Sequence, residues 1–367
     1  MDVLKFGGST FRSLDDYLRI AEYVRERRSP DKTVVVASAM AGLTEQLRGY
    51  ASAIGDPLDA EASDAFVPLA DTASAAMLSL ALRRVGIRSV TLNAHQLGIT
   101  TDARHTRARV ERVDAAPLRD ALERADCVVV PGAQAVTERN VPTSLGKNSS
   151  DLTAVLLAAA LEVERCEIFS DARGVYSGDP DLLCDVRLIE RISYARLHEL
   201  ALSGAKVMHH GAVQAAAATG VELICRSNAG EYGIGTVVTR SAFPEQPAVV
   251  LDMRSAVLGF ATAAAAARAF SELSAFGVPA TPLAGWRERT VAVTCGFFEP
   301  VPFLSARGIA CEPLAGRLIT EFSNAPAVRR HVADDRCAVE TAQQIHDVHY
   351  RDAATARRTA LGALEAV

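Results

Sequence analysis

With 367 residues, 49% of them hydrophobic and 23% charged, the chain is long enough for two domains, each with its own core. A net charge of −5 and the lack of a long basic run exclude nucleic acid and an anionic membrane surface as expected partners. Seven scattered cysteines without CxxC or zinc spacing read as reduced thiols, and the opening MDVLKFGG lacks the pattern of a secretory leader, so a cytoplasmic protein is expected.

In chain order, DVLKF predicts a short strand. Ser13 is placed to cap a helix over LDDYLRIAEYVRERR, with Leu14, Tyr17, Leu18, Ala21 and Val24 on one face. KTVVVASA is a continuous apolar strand of the kind buried on both faces. ASAAMLSLALRRVG is a helix that stops at Gly86, and SVTLNA, CVVVPG, CEIFSD and VELICRS are further buried strands between helices. This βαβ series predicts an α/β fold, a three-layer αβα sandwich with a mostly parallel sheet, over residues 1–240. GIGTVVTRSAFPEQP reads as a turn-rich linker. From about residue 243 to 367 the strands shorten (AVVLDMR, GVPATPL, RTVAVTCGFF, GIACEPL, RLITEFS, APAVRRHVA) around an alanine-rich helix, which predicts a smaller α+β domain. The longest apolar stretches, VLLAAALEV and FATAAAAARAF, fall short of a bilayer span.

Five stretches carry chemistry. KFGGST, Lys5 to Thr10, lies between the first strand and first helix, where paired glycines let backbone approach a phosphate and a lysine supplies charge. VVVASAMAGLT ends a strand in small residues and hydroxyls, Ser38 and Thr44 among them, leaving room for a small ligand. TSLGKNSSDLTA runs into a helix. Ser149, Ser150 and Asp151 are good capping types there, but Lys147 just before a helix start is unfavourable to the dipole unless an anion sits between them. FSDARGVYSGDP follows a strand and forms a loop with Asp171 at its start and Tyr176 within it. SGAKVMHH reads as a helix carrying Lys206.

Taken in order, KFGGST, SAMAGLT, SLGKNSSDLTA, SDARGVYSGDP and GAKVMHH resemble the KFGG[TS], GxT, TLGRGGSDxTA, [ST]DVxGVYTxDPR and GAKVLHP motifs of the aspartate kinases, members of the amino-acid kinase family. QLGITTDARHTRARV and VPGAQAVTE are similar to that family too, and the resemblance covers about residues 1–240. It implies ATP as phosphoryl donor with Mg2+, and a small carboxylic or amino acid as acceptor. It implies catalytic roles for Lys5, Asp151 and Lys206, and an ATP site of Lys5, Gly7, Gly8, Ser9, Ser170, Asp171, Tyr176, Asp179, Pro180 and Lys206. It implies an acceptor site of Ser38, Ala39, Thr44, Ala76, Lys147 and Ser150. The family's glutamate of HGE, which lies near the acceptor's amino group, is matched to Ala76 in DTASAAMLS, and its GRGG becomes Gly146-Lys147-Asn148-Ser149. These departures predict weak binding of aspartate and preference for an acid without a free amino group. The C-terminal part resembles the family's ACT regulatory domains in shortened form. That implies a homodimer, and a tail too short for feedback by lysine or threonine in the usual form.

The chemistry expected is acyl phosphate formation on aspartate or a related small acid, which needs no general base because the carboxylate is already ionised at neutral pH. A non-catalytic nucleotide-binding or regulatory partner is the alternative, since the acceptor motif is altered. HDVH, with His346 and His349, offers two metal-ligand types but no third, and reads instead as a solvated tail helix.

Overall fold

The computed structural model describes residues 1–27, 32–55, 59–240, 244–283, 289–296, 298–323 and 326–364, with 351–364 as backbone. The chain divides into two compact units. One comprises Met1–Val175, Glu190–Leu197 and Val207–Ser241; the other comprises Tyr176–Ile189, His198–Lys206 and Ala242–Val367.

The first unit is built on an eight-stranded sheet. Its strands are β1 (Asp2–Phe6), β2 (Thr33–Ala37), β3 (Ser89–Thr91), β4 (Cys127–Pro131), β5 (Arg165–Ser170), β6 (Arg191–Ser193), β7 (Glu222–Ser227) and β8 (Ile234–Thr239). Their order is β6-β8-β7-β5-β1-β2-β4-β3. The pairings are parallel except for β7 with β8. β2 and β4 are buried at every position, as expected of strands covered on both faces. β8 corrects the linker reading: IGTVVT is a strand, exposed at Ile234, buried at Gly235, Thr236 and Val238 and half-buried at Val237 and Thr239. The linker's Ser241 to Phe243 lie outside the described residues.

Helices α1 (Leu14–Arg27), α2 (Leu43–Ile54), α3 (Ala60–Phe66), α4 (Leu69–Arg84), α5 (Ala116–Arg124), α6 (Ser150–Ala160), α7 (Tyr194–Leu202) and α8 (His210–Thr219) follow the strands. α1 buries Tyr17, Ile20, Ala21 and Val24, whereas Leu14, expected on that face, is 67% exposed. Leu14 is the first helical residue, before the stripe meets the core. Ser13 does not cap with its oxygen. Its Oγ donates to Asp16 Oδ2 at 3.1 Å, and that carboxylate also accepts from the Arg12 and Ser13 N–H groups at 2.9 Å, so the cap is made by Asp16. The α1/α4 layer closes over Phe6, Phe11 and Phe169, with Phe6 and Phe169 stacked at 4.5 Å. Glu167 on β5 is buried in the same region and held by Arg27 and by Arg226 Nε, the latter at 2.5 Å. The helical stretch Ala60–Arg84 is long and apolar enough to cross a membrane by composition. In this fold α4 spends its apolar positions on the core, with Ala75, Leu78 and Leu82 buried there.

A smaller sheet beside these elements joins Val110–Val113, Ile99–Thr101, Gln134–Thr137 and Pro142–Ser144 in that order. It delivers the chain to the start of α6.

The second unit contains two α+β assemblies. β9 (Ala248–Asp252), β10 (Ala256–Gly259), β11 (Ala280–Pro282), β12 (Thr290–Val293), β13 (Glu312–Leu314), β14 (Arg317–Phe322) and β15 (Val328–Val332) alternate with α9 (Ala263–Ala275), α10 (Pro300–Ser305) and α11 (Asp335–Leu364). β10-α9-β11-β12-α10-β13 is a complete βαββαβ unit with antiparallel sheet order β11-β12-β10-β13, as in an ACT domain. β9, β14 and β15 form a separate three-stranded antiparallel sheet, with α11 packed through Ala338 and Ala342 against Val249, Leu251 and Ile319. The complete unit is therefore inserted, in sequence, into a partial one. No disulfide joins the seven cysteines.

Candidate active site

The glycine turn follows directly from β1. Gly7 N–H donates to Phe169 O at 3.1 Å and Thr10 N–H to Gly7 O at 2.9 Å. A Cβ on Gly7 would lie 3.3 Å from both Lys5 Nζ and Phe169 O, and one on Gly8 would lie 3.1 Å from Ala39 O. A side chain at either position would press on its neighbours, and the turn is wedged between the ends of β5 and β2. Asn228, just past β7, is buried and donates through Nδ2 to Ser9 Oγ at 3.1 Å and Thr10 Oγ1 at 3.2 Å. Arg19 holds the Asn228 carbonyl at 3.0 Å. Asn228 was missed in the sequence, although its place at a strand's carboxyl end was the signal available.

Lys5 Nζ is 2.6 Å from Asp151 Oδ1, with the two side chains 10% and 8% exposed. Asp151 Oδ2 accepts from the His209 N–H at 3.2 Å. The His209 imidazole lies beside them, and burial pulls its pKa down to about 4. Asp151 is therefore no helix cap. Neither does Ser149 cap α6: its Oγ donates back to Gly146 O at 2.6 Å, and its side chain makes no capping bond to the helix. Gly146 and Asn148 both take left-handed φ, +102° and +63°, which lets the chain reverse into α6 in so few residues. Ser150 is buried against Gly132, where a Cβ would meet Ser150 Oγ at 2.2 Å.

The acceptor set divides. Ser38 is half-buried at the end of β2, Ala39 is buried, and Thr44 is half-buried in the first turn of α2. Lys147 Nζ contacts Glu45 Oε1 at 3.3 Å. Ala76 does not join them: it lies on the exposed face of α4. The acid that faces inward from α4 is Asp71. Asp71 is buried, its Oδ1 accepts from the Ala39 N–H at 3.0 Å, and burial pushes its carboxyl up to about 7, partly opposed by the Lys5 charge. Five residues along a helix leave the two side chains on different faces, so Ala76 is exposed where Asp71 is buried.

Ser170 and Asp171 end β5. Ser170 Oγ donates to Ala172 O at 2.8 Å, and Asp171 is exposed. In the second unit Tyr176 is half-buried and Pro180 exposed, while Lys206 Nζ meets Asp179 Oδ2 at 3.0 Å, with side chains 52% and 20% exposed. Lys206 lies in a turn between α7 and α8, where a helix had been expected. Gly204 takes φ +100°, and a Cβ there would come 2.3 Å from Asp252 Oδ2. Asp252 is buried, its carboxyl is raised by that burial, and it accepts from the Cys295 N–H at 2.8 Å and the Arg254 N–H at 2.9 Å. His346 and His349 also depart from expectation: His346 is 1% exposed and bonded to Ser177, and His349 contacts Glu321 Oε1 at 2.9 Å.

A parallel sheet with a glycine turn, a buried lysine and an uncapped helix start at its strands' carboxyl ends is the architecture of an α/β protein that handles phosphate. The amino acid kinase family model matches residues 2–227. The chain belongs to that family. It is 37% identical over 249 residues to an aspartokinase of Geobacillus stearothermophilus, covering 68% of this chain and 61% of that one. It is 36% identical over 249 residues to aspartokinase 2 of Bacillus subtilis (strain 168), with the same coverage. The match spans less than two thirds of the length of these relatives. In fold it is similar to E. coli aspartokinase III in complex with aspartate and ADP, with TM-score 0.74 over 95% of this chain and 99% of that one, at 18% identity.

Proposed function

We propose that the chain is an ATP-dependent phosphotransferase that forms an acyl phosphate on the side-chain carboxylate of aspartate. The observation that carries this reading is the Lys5–Asp151 pair, fixed at 2.6 Å between a glycine turn and the uncapped start of α6. A carboxylate oxygen of the acceptor attacks the terminal phosphorus of ATP, the bond from that phosphorus to the bridging oxygen breaks, and ADP leaves. Lys5 stabilises the charge that develops on the transferring group, and Asp151 holds its ammonium in place. Gly7, Gly8 and Ser9 offer backbone and hydroxyl to phosphate, with Ser170 and Asp171 at the next strand end. Tyr176, Asp179, Pro180 and Lys206 keep the nucleotide roles that the resemblance gives them. Mg2+ is proposed to arrive on the nucleotide's phosphates.

On the acceptor side, Asp71 supplies the carboxylate for the substrate ammonium, and Ser38, Ala39, Thr44, Ser150 and Lys147 surround the acceptor. With an acid in that role, aspartate fits without the exclusion that Ala76 had suggested. Residues 1–240 are proposed as the catalytic domain and 243–367 as a degenerate ACT-like domain that pairs two copies, in the cytoplasm. The test is ADP release with aspartate and a panel of small acids, with hydroxylamine present to trap acyl phosphate. Aspartate-dependent hydroxamate is the expected result. ADP release without hydroxamate, or none with any acid, would overturn it.

A further inference from the structure

The loop from Ser177 to Arg187 is gripped by one face of α11. Gln343, His346 and Tyr350 stand at i, i+3 and i+7 on that helix, the spacing that aligns side chains along one face. Gln343 Oε1 accepts from the Cys184 N–H at 2.8 Å. The Tyr350 ring lies under the Arg187 guanidinium at 4.6 Å, and its hydroxyl donates to Pro247 O at 2.6 Å. Between them His346 Nε2 sits 2.9 Å from Ser177 Oγ.

Ser177 is fixed on every side. Its N–H donates to Arg187 O, its Oγ accepts from the Arg187 N–H, and its carbonyl accepts from the Val249 N–H, each at 2.8 Å. The Ser177 oxygen keeps a second lone pair besides the one taken by the Arg187 N–H, so its contact with His346 Nε2 forms with the proton on either partner. His346 Nδ1 is itself buried without a hydrogen-bond partner among the described residues. Keeping such a group inside has a cost of desolvation, and apolar packing could have held the loop alone, since Leu183 is already buried against Val249, Leu251 and Ile319. The imidazole adds direction: it fixes the residue that follows Tyr176 and precedes Asp179 by two.

We propose that His346 is a positioning residue for nucleotide binding, acting through Ser177 on Tyr176 and Asp179, so that the C-terminal helix sets the nucleotide affinity of the enzyme. This rests on the nucleotide roles given above to those two residues. The effect belongs on one substrate only, because nothing in this contact touches the acceptor residues.

The experiment compares wild type, His346→Leu and His346→Gln in the full chain. The leucine removes the partner of the Ser177 hydroxyl, while the glutamine amide can still accept from it or donate to it. Loss of one buried hydrogen bond predicts a rise of about ten-fold in the KM for ATP in His346→Leu, with kcat and the KM for aspartate near wild type. Amide hydrogen exchange over residues 176–187 is expected to quicken in His346→Leu, and His346→Gln to restore both readouts. Unchanged ATP KM and unchanged exchange in His346→Leu would overturn the proposal. So would a loss of protection spread over the whole chain with all kinetic constants falling together. If wild type turns over no nucleotide, the proposed reaction fails. The exchange comparison still decides the positioning role: equal protection over 176–187 in all three proteins refutes it, and loss in leucine with recovery in glutamine sustains it.

Discussion

Two lysine–aspartate pairs of similar length serve different ends of the proposed chemistry. Lys5 and Asp151 meet at 2.6 Å in a place where both are about nine-tenths buried, whereas Lys206 and Asp179 meet at 3.0 Å with the lysine half exposed. The buried pair has lost its water, so each member depends on the other, and the ammonium is held in one position before any substrate arrives. The exposed pair is screened, contributes little to stability and can exchange its carboxylate for another anion. Burial, more than residue type or distance, separates a preorganised group from an adaptable one.

Breaking the buried pair gives the largest expected effect. Lys5→Ala should lower kcat by about 10²-fold or more while nucleotide still binds, measured by coupled ADP release and nucleotide titration. It should also lower the melting temperature, because Asp151 is left buried without its cation. Turnover within a few-fold of wild type would remove Lys5 from the reaction.

Asp71 extends the comparison to a buried acid on which the Lys5 charge acts without a direct ion pair among the described residues. Asp71→Asn removes a charge-assisted contact to the acceptor ammonium and should raise the KM for aspartate by roughly 10- to 100-fold, leaving that for ATP unchanged. An equal rise in both constants would make Asp71 a structural group only.

The same residue predicts a pH dependence. Its carboxyl is pushed up to about 7 in the fold, chiefly by burial, above its ordinary value near 4. A raised folded value means the protonated form suits the unliganded fold. The stability from this group is present below its ordinary value and is lost as pH rises through about 7. Binding an ammonium requires the ionised form. The KM for aspartate should therefore climb by about five-fold between pH 7 and pH 6, and Asp71→Asn should flatten that slope. Calorimetry in two buffers of different ionisation enthalpy should show proton release on aspartate binding near pH 7, absent in the variant.

The exposed pair gives a smaller effect. Lys206→Ala should raise the KM for ATP by only about three- to ten-fold, with a kcat close to wild type and weaker dependence on salt. A loss of kcat as large as that of Lys5→Ala would show that exposure is a poor guide to role here. The smallest effect belongs to Ala76→Glu. That side chain points outward from α4, so the KM for aspartate should stay within about two-fold. A marked gain in aspartate affinity would return Ala76 to the acceptor site.

The fold of the first unit was legible because its strands are short apolar runs bounded by glycine or polar turns, and its helices carry a clear period. β8 was misread since IGTVVT contains a glycine and runs into a turn-rich tail, and a short strand next to such signals looks like a loop. The second unit was harder. β9 pairs with β14, some sixty residues later, across an inserted βαββαβ unit, and no local pattern reports such a pairing. Of the proposed site, Lys5, Gly7, Gly8 and Asp151 stand out in the sequence because their motifs are contiguous. Asp71 and Asn228 do not, because each sits alone among residues that otherwise look like packing.

The sequence by itself determined the elements, their order and the residue types that a phosphate needs, since turn chemistry, hydrophobic period and motif spacing are local properties of the chain. Tertiary structure alone decided which carboxylates lose their water. It buried Asp71 and Asp151, left Asp171 in solvent, turned Ala76 outward and drew His346 from an expected solvated tail onto Ser177. Those outcomes depend on which face of a helix meets the core, and desolvation, unlike propensity, is a property of the neighbours a residue finds after folding.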